Sequence, residues 1–166
     1  MKRKIAISGS HSTGKTFLLY ELAKKYKLKY PNKEISIVSE VSRKCPYPIN
    51  ENTPLESQYW MFSTQIKMEM DATKETDIVI CDRSIADHLA YAKLVSNGLY
   101  ESMIPFVKEY IKTYDKIFFK TIKNNDYLID DGVRSTDPIF RQVVEDNLKH
   151  LYNNILINDI NEMISI

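Results

Sequence analysis

The chain is poor in the residues that mark several common protein classes. It has two cysteines, Cys45 and Cys81, in no recognisable spacing, so neither a disulfide framework nor a cysteine-based zinc site is in prospect. Cys81 falls inside an apolar strand, where a thiol behaves as a small hydrophobe, and this points to a reducing compartment. An excess of either charge is also missing. With 23 Lys and Arg against 22 Asp and Glu the net charge is +1, which gives no overall electrostatic reason to bind nucleic acid or a membrane. A local cluster of Lys24, Lys25, Lys27, Lys29 and Lys33 closes a helix, where cations suit the helix dipole and solvent. No apolar run is long enough to span a bilayer, and Met1-Lys2-Arg3-Lys4 leads directly into a strand, so neither a membrane segment nor a signal peptide is expected. The expectation is a cytoplasmic protein of one domain, residues 1–166, long enough to bury about 70% of its unfolded surface.

Glycine is scarce, at four residues, and two of the four sit at the fixed positions of Gly9-Ser10-His11-Ser12-Thr13-Gly14-Lys15-Thr16. This is a complete G-x-x-x-x-G-K-[ST] phosphate loop, preceded by the apolar Lys4–Ser8 and followed by a helical pattern from Thr16. In that context Gly9, Ser12, Thr13, Gly14 and Lys15 are candidates for cradling the phosphates of a nucleoside triphosphate with backbone N–H groups and a mobile ammonium. The Thr16 hydroxyl is a candidate ligand for Mg²⁺. His11 sits inside the loop and is assigned no chemistry.

Beyond the loop, strand and helix patterns alternate. Strands are expected at 34–39, 77–81 and 116–121, with a further one at 155–158. Helices are expected at 55–73, 85–95, 104–114 and 137–152, with Asn97-Gly98 breaking the chain between the second and third. Asp137 reads as the N-cap of the last helix and Pro138 as its first residue. Such alternation implies an α/β fold with a parallel sheet of four to five strands, helices on both faces, and a lid loop at about 124–135. Ligands of such sheets gather at the strand C-termini, so the residues there carry the argument.

The second strand ends near Glu40, with Arg43 one turn on. Glu40 can take a proton from an attacking hydroxyl or be an ordinary loop carboxylate; Arg43 can hold substrate or pair on the surface. The third strand ends in Asp82-Arg83-Ser84. Four apolar residues and then Asp is the Walker B arrangement, in which the carboxylate reaches Mg²⁺, and Arg83 suits a phosphate. Along the 55–73 helix, Gln58, Met61, Phe62 and Gln65 share a face. Amides on an otherwise apolar stripe either line a nucleoside pocket or satisfy core backbone. Arg134 stands in the glycine-hinged loop as a candidate lid arginine. Arg141 is either a second phosphate contact or the i, i+4 partner of Asp137.

Four segments, Ile7–Thr16, Glu40-Val41-Ser42-Arg43, Asp82-Arg83-Ser84 and Asp131-Gly132-Val133-Arg134, together resemble the small P-loop kinases. The groups the chain resembles are the nicotinamide riboside kinase domain of the NadR type, phage-type AAA/kinase proteins, and the deoxynucleoside and thymidylate kinases. That resemblance implies the three-layer P-loop NTPase fold and an ATP- and Mg²⁺-dependent phosphotransfer to a small nucleoside or nucleotide. It further implies Glu40 as catalytic base, Asp82 at the metal, Lys15, Arg83 and Arg134 around the phosphoryl group, Gln65 for the nucleobase and Asp87 for a sugar hydroxyl. The chain departs from the pattern in its short C-terminal end, which a homodimer would compensate. Two alternatives remain at this point, a kinase for a hydroxymethylated base within DNA and an ATPase switch without a phosphate acceptor.

Overall fold

A computed structural model describes residues 2–166 apart from Asn125, Ile129, Asp131, Val133 and Arg134. Five strands, β1 (Arg3–Ser8), β2 (Ile35–Val38), β3 (Ile78–Asp82), β4 (Lys116–Phe119) and β5 (Met163–Ser165), form one parallel sheet in the order β2-β3-β1-β4-β5. The helices are α1 (Lys15–Lys29), α2 (Leu55–Glu75), α3 (Ile85–Val95), α4 (Asn97–Ile111) and α5 (Pro138–His150).

Two-residue alternation along the central strands divides the core. Ile5, Ile7, Ile78 and Ile80 face Leu19 and Leu22 of α1. Ala6, Val79 and Cys81 face the other way, into a larger cluster with Ile85 and Leu89 of α3, Val107 and Ile111 of α4, and Val144 and Leu148 of α5. The result is three layers, with α1 on one face and the remaining long helices on the other. Burial pushes the Cys81 thiol well above its ordinary range, as expected of an inert core residue.

Most expected elements are present, and two differ. Asn97-Gly98 opens α4 rather than breaking the chain ahead of a later helix, because the Ser96 hydroxyl accepts from Leu99 N at 3.2 Å and caps the first turn. The final strand is not at 155–158; Leu151–Ile155 is a π-helical turn continuing α5, and pairing occurs later, where Met163–Ser165 lies along Ile117–Phe119. At the start of α5 the expected cap is present: Asp137 Oδ1 accepts from Ile139 N at 2.8 Å with Pro138 leading the helix. Among the described residues no helix is long and apolar enough to cross a membrane.

Candidate functional site

The site is assembled where β1, β2 and β3 end. Between β1 and α1 the chain turns with positive φ at Gly9 (145°), Ser12 (54°) and Gly14 (76°). At Gly9 a side chain is excluded twice over, by that φ and by the Lys120 carbonyl, which lies where a Cβ would stand. Lys15 folds back across the loop, donating to Ser10 O at 2.6 Å, and Thr13 Oγ1 donates to the same carbonyl at 3.1 Å. Burial and then repulsion from Arg83 lower the Lys15 ammonium to about 8, against the pull of Glu40, Asp82 and Asp87. A buried ammonium of this kind suits an anionic ligand, whose charge would offset the cost of its burial.

Thr16 Oγ1 donates to Asp82 Oδ2 at 2.9 Å, which joins the first residues of α1 to the last of β3. The other carboxylate oxygen, Asp82 Oδ1, is buried without a hydrogen-bond partner. A hydroxyl beside an under-satisfied carboxylate is the hard-oxygen donor set that suits Mg²⁺, so these two residues fit that ion. No cluster of three or more His, Cys, Asp or Glu suited to a metal occurs among the described residues.

Arg83 is the centre of the polar network. Its backbone holds φ 91°, unusual for a residue with a side chain, and its N–H donates to Ile7 O at 3.0 Å. From there the guanidinium reaches Glu40 Oε1 through Nε (2.8 Å) and Nη2 (2.6 Å), and Gly9 O (3.3 Å) and Asp87 Oδ1 (3.4 Å) through Nη1. Glu40, two residues beyond β2, is 6% exposed, and Arg43 Nε lies 3.8 Å from its second oxygen.

Glu40 and Arg83 stand at the polar end of a cleft with about 490 Å³ of empty space, its open mouth included. Its walls are Ile49, Met61 and Tyr91 together with the polar residues Ser42, Gln58, His11 and His88. Gln58 is thus the amide of α2 that reaches the cleft. Gln65 does not line it: it is fully buried, donating to Glu69 Oε1 at 2.7 Å and towards Arg83 O at 3.5 Å. Phe62, half-buried against the core, packs edge-on against the exposed Phe106 and is not part of the lining. Asp87 also departs from its expected place at a sugar hydroxyl. It is fully buried, Oδ1 accepting from Gly9 N at 3.1 Å and Oδ2 from Ser84 N and Ser84 Oγ, both at 2.9 Å, in a capping box that starts α3.

Arg141 lies beside the loop but works from its backbone: its carbonyl accepts from Ser10 Oγ at 2.8 Å while Nη1 donates to Asp126 O at 3.0 Å. Arg134, the expected lid arginine, lies outside the described residues. At the near end of that segment the Ser135 hydroxyl bonds Glu51 close to the mouth of the cleft.

Three contributors were not expected. His11 puts Nδ1 3.3 Å from the Tyr91 hydroxyl, and Tyr91 and His88 share the cleft-facing side of α3. Their i, i+3 spacing, immediately after a strand end that carries Asp82 and Arg83, was the available signal.

The backbone as a whole resembles several solved structures. Thymidylate kinase from Ehrlichia chaffeensis aligns with a TM-score of 0.66 and 18% identity over 99% of this chain and 86% of that one. Deoxyadenosine kinase from M. mycoides with bound dATP gives 0.67 and 19%, over 99% and 90%. NadR in complex with NR gives 0.72 and 20% over 99% of this chain, which spans 45% of that protein. At these identities the likeness establishes the fold, the three-layer P-loop NTPase arrangement. No curated protein matches the chain in sequence. The profile of the AAA domain family does match, across residues 4–162, and the chain belongs to that P-loop family.

Proposed function

We propose that this protein is a phosphotransferase that moves the γ-phosphoryl group of ATP to a hydroxyl of a small nucleoside-like acceptor. The observation that carries the reading is the adjacency of a complete phosphate loop and a separate cleft whose polar end holds Glu40 and Arg83. A hydrolytic switch has no need of a second cleft lined by an amide, a carboxylate and a guanidinium. The names of the similar structures, kinases among them, support the same class.

In this reading the loop N–H groups and Lys15 hold the triphosphate. Mg²⁺, kept by Thr16 and Asp82, supplies charge neutralisation when bound. The acceptor hydroxyl oxygen forms a bond to the γ-phosphorus, the bond from that phosphorus to the β,γ-bridging oxygen breaks, and ADP leaves. The acceptor proton passes to Glu40, which Arg83 holds in place beside the cleft through two hydrogen bonds to Oε1. Arg83 and Lys15 carry the charge that spreads over the transferring group, and Arg134 joins them from the lid. The rest is positioning.

The test is a transfer screen with γ-labelled ATP and Mg²⁺ against nucleosides, nucleoside monophosphates, nicotinamide riboside, and plain and hydroxymethylated DNA. Label on one small acceptor is the expected result. Label released only as inorganic phosphate, at a rate no acceptor changes, would refute it in favour of a switch; label on DNA alone would move the acceptor into the polymer.

A further inference from the structure

Within the phosphotransferase reading, on which this inference rests, we propose that the acceptor is a nucleoside without a phosphate of its own, held through hydrogen-bond donors on its ring or its carboxamide by Gln58 and His88.

The argument begins with charge. Among the described residues lining the cleft, Glu40 and Arg83 are the charged groups, and they are already paired with each other. Arg83 is also committed to Asp87, and Arg43, a further cation among the described residues, is already drawn to Glu40 and is 43% exposed. A nucleoside monophosphate brings about two negative charges, and burying them needs cations with donors to spare. Here the one guanidinium among the described lining residues is balanced by two carboxylates, and one of those, Glu40, would face the incoming phosphate. A neutral hydroxyl suits that place better, since it can donate to Glu40 and accept from Arg83.

The second observation lies elsewhere in the lining. Gln58 is 2% exposed and its Oε1 has no hydrogen-bond partner; His88 is 3% exposed and its Nε2 has none either. Orphaned polar atoms are rare in native interiors because each forfeits its hydration without compensation, and two in one cleft point to a ligand that satisfies them. Gln58 Oε1 can only accept, so the ligand must present an N–H or O–H there. Burial, with repulsion from Arg83 second, lowers His88 to about 4, so it remains a neutral imidazole that offers one donor and one acceptor and no charge to a phosphate. Between these polar contacts, Ile49, Met61 and Tyr91 provide an apolar wall for a planar ring.

Calorimetric titration of the full chain, with Mg²⁺ and a non-hydrolysable ATP analogue present, tests this with matched pairs of nucleoside and 5′-monophosphate. The nicotinamide riboside pair is included because it carries a carboxamide. The nucleoside member of at least one pair should bind at least about tenfold more tightly than its monophosphate. Gln58→Met, close in volume, should weaken nucleoside binding about tenfold and leave the ATP analogue unaffected. His88→Gln gives an independent second reading of the same contact, and thermal unfolding of both variants verifies that they fold. Tighter binding of a monophosphate would overturn this inference and leave phosphotransfer standing. Nucleoside binding without label transfer would uphold the acceptor class and overturn phosphotransfer. No binding by either member of any pair, or wild-type affinity in both variants, would overturn the inference.

Discussion

Replacing Asp87 by Asn separates two roles that a single carboxylate can play near this site. If Asp87 held a sugar hydroxyl, the amide would raise the acceptor KM and leave the fold nearly unchanged. The structure gives it different work. One oxygen accepts from the Gly9 N–H and the Arg83 guanidinium, the other from the N–H and hydroxyl of Ser84. An amide presents one acceptor where two are needed, so its NH₂ must face either Gly9 and Arg83 or Ser84. Losing the capping box costs about 1 kcal/mol. Weakening a hydrogen bond from a buried guanidinium costs about 2 kcal/mol more. The expected loss is about 3 kcal/mol, or about 6–12 °C in Tm for a chain of this length. Urea unfolding followed by circular dichroism measures it, alongside steady-state kinetics. Because Gly9 opens the phosphate loop and Arg83 lines the cleft, kcat and both KM values should suffer together. A variant with less than about 1 kcal/mol lost and a selective rise in acceptor KM would refute this reasoning and restore the sugar-binding role.

Four further outcomes are expected. Glu40→Gln should lower kcat by about 10²–10⁴-fold with little change in ATP affinity, and equal losses in both would make Glu40 structural. Glu69→Leu removes a fully buried carboxylate that pairs with Lys4 Nζ at 3.0 Å and accepts from Gln65, Tyr110 and Tyr114; it should cost about 3–5 kcal/mol in denaturant unfolding, whereas Lys4→Met with Glu69→Leu should recover much of it. Failure of the double variant to recover would show that the tyrosines and Gln65 dominate the loss. His88 has an ordinary value of 6.5 and a folded value of about 4, so the unfolded chain binds the extra proton between them. Stability is therefore full above about pH 6.5 and falls by about 3 kcal/mol as pH drops towards 4; His88→Gln should flatten that limb, and parallel pH profiles would contradict the burial of a neutral ring. Gly9→Ala should cost about 3 kcal/mol because its Cβ meets the Lys120 carbonyl at a φ that side chains avoid; a fully stable variant would mean that the end of β4 yields.

The phosphate loop was legible because its chemistry lies within eight consecutive residues, Gly9 to Thr16, and adjacency in sequence forces adjacency in space. Asp82 and Glu40 were legible for a related reason: apolar strands announce themselves, and in a parallel sheet the residues just past a strand lie at the ligand-binding edge. The three-residue β5 was not, since three residues are too few for alternation to register and its pairing partner, β4, lies more than forty positions away. Nor was the start of α4, where Asn-Gly reads as a turn until the Ser96 cap is seen to outweigh it. Gln58 and Gln65, two turns apart on one face of α2, were indistinguishable as letters. Only packing decided that the first lines the cleft while the second meets Glu69 and the Arg83 carbonyl. Asp87 shows the same division. Ser84-Ile85-Ala86-Asp87 carries the spacing of a capping box in sequence, yet the bond to Gly9 exists only because β1 and β3 are neighbours in the sheet. The sequence by itself therefore determined the fold class, the place of the phosphate-loop motif and the residues at the strand tips, which depend on local spacing and periodicity. The tertiary structure alone decided which side chains line the cleft and which hold the loop in place, because both depend on contacts between residues tens of positions apart.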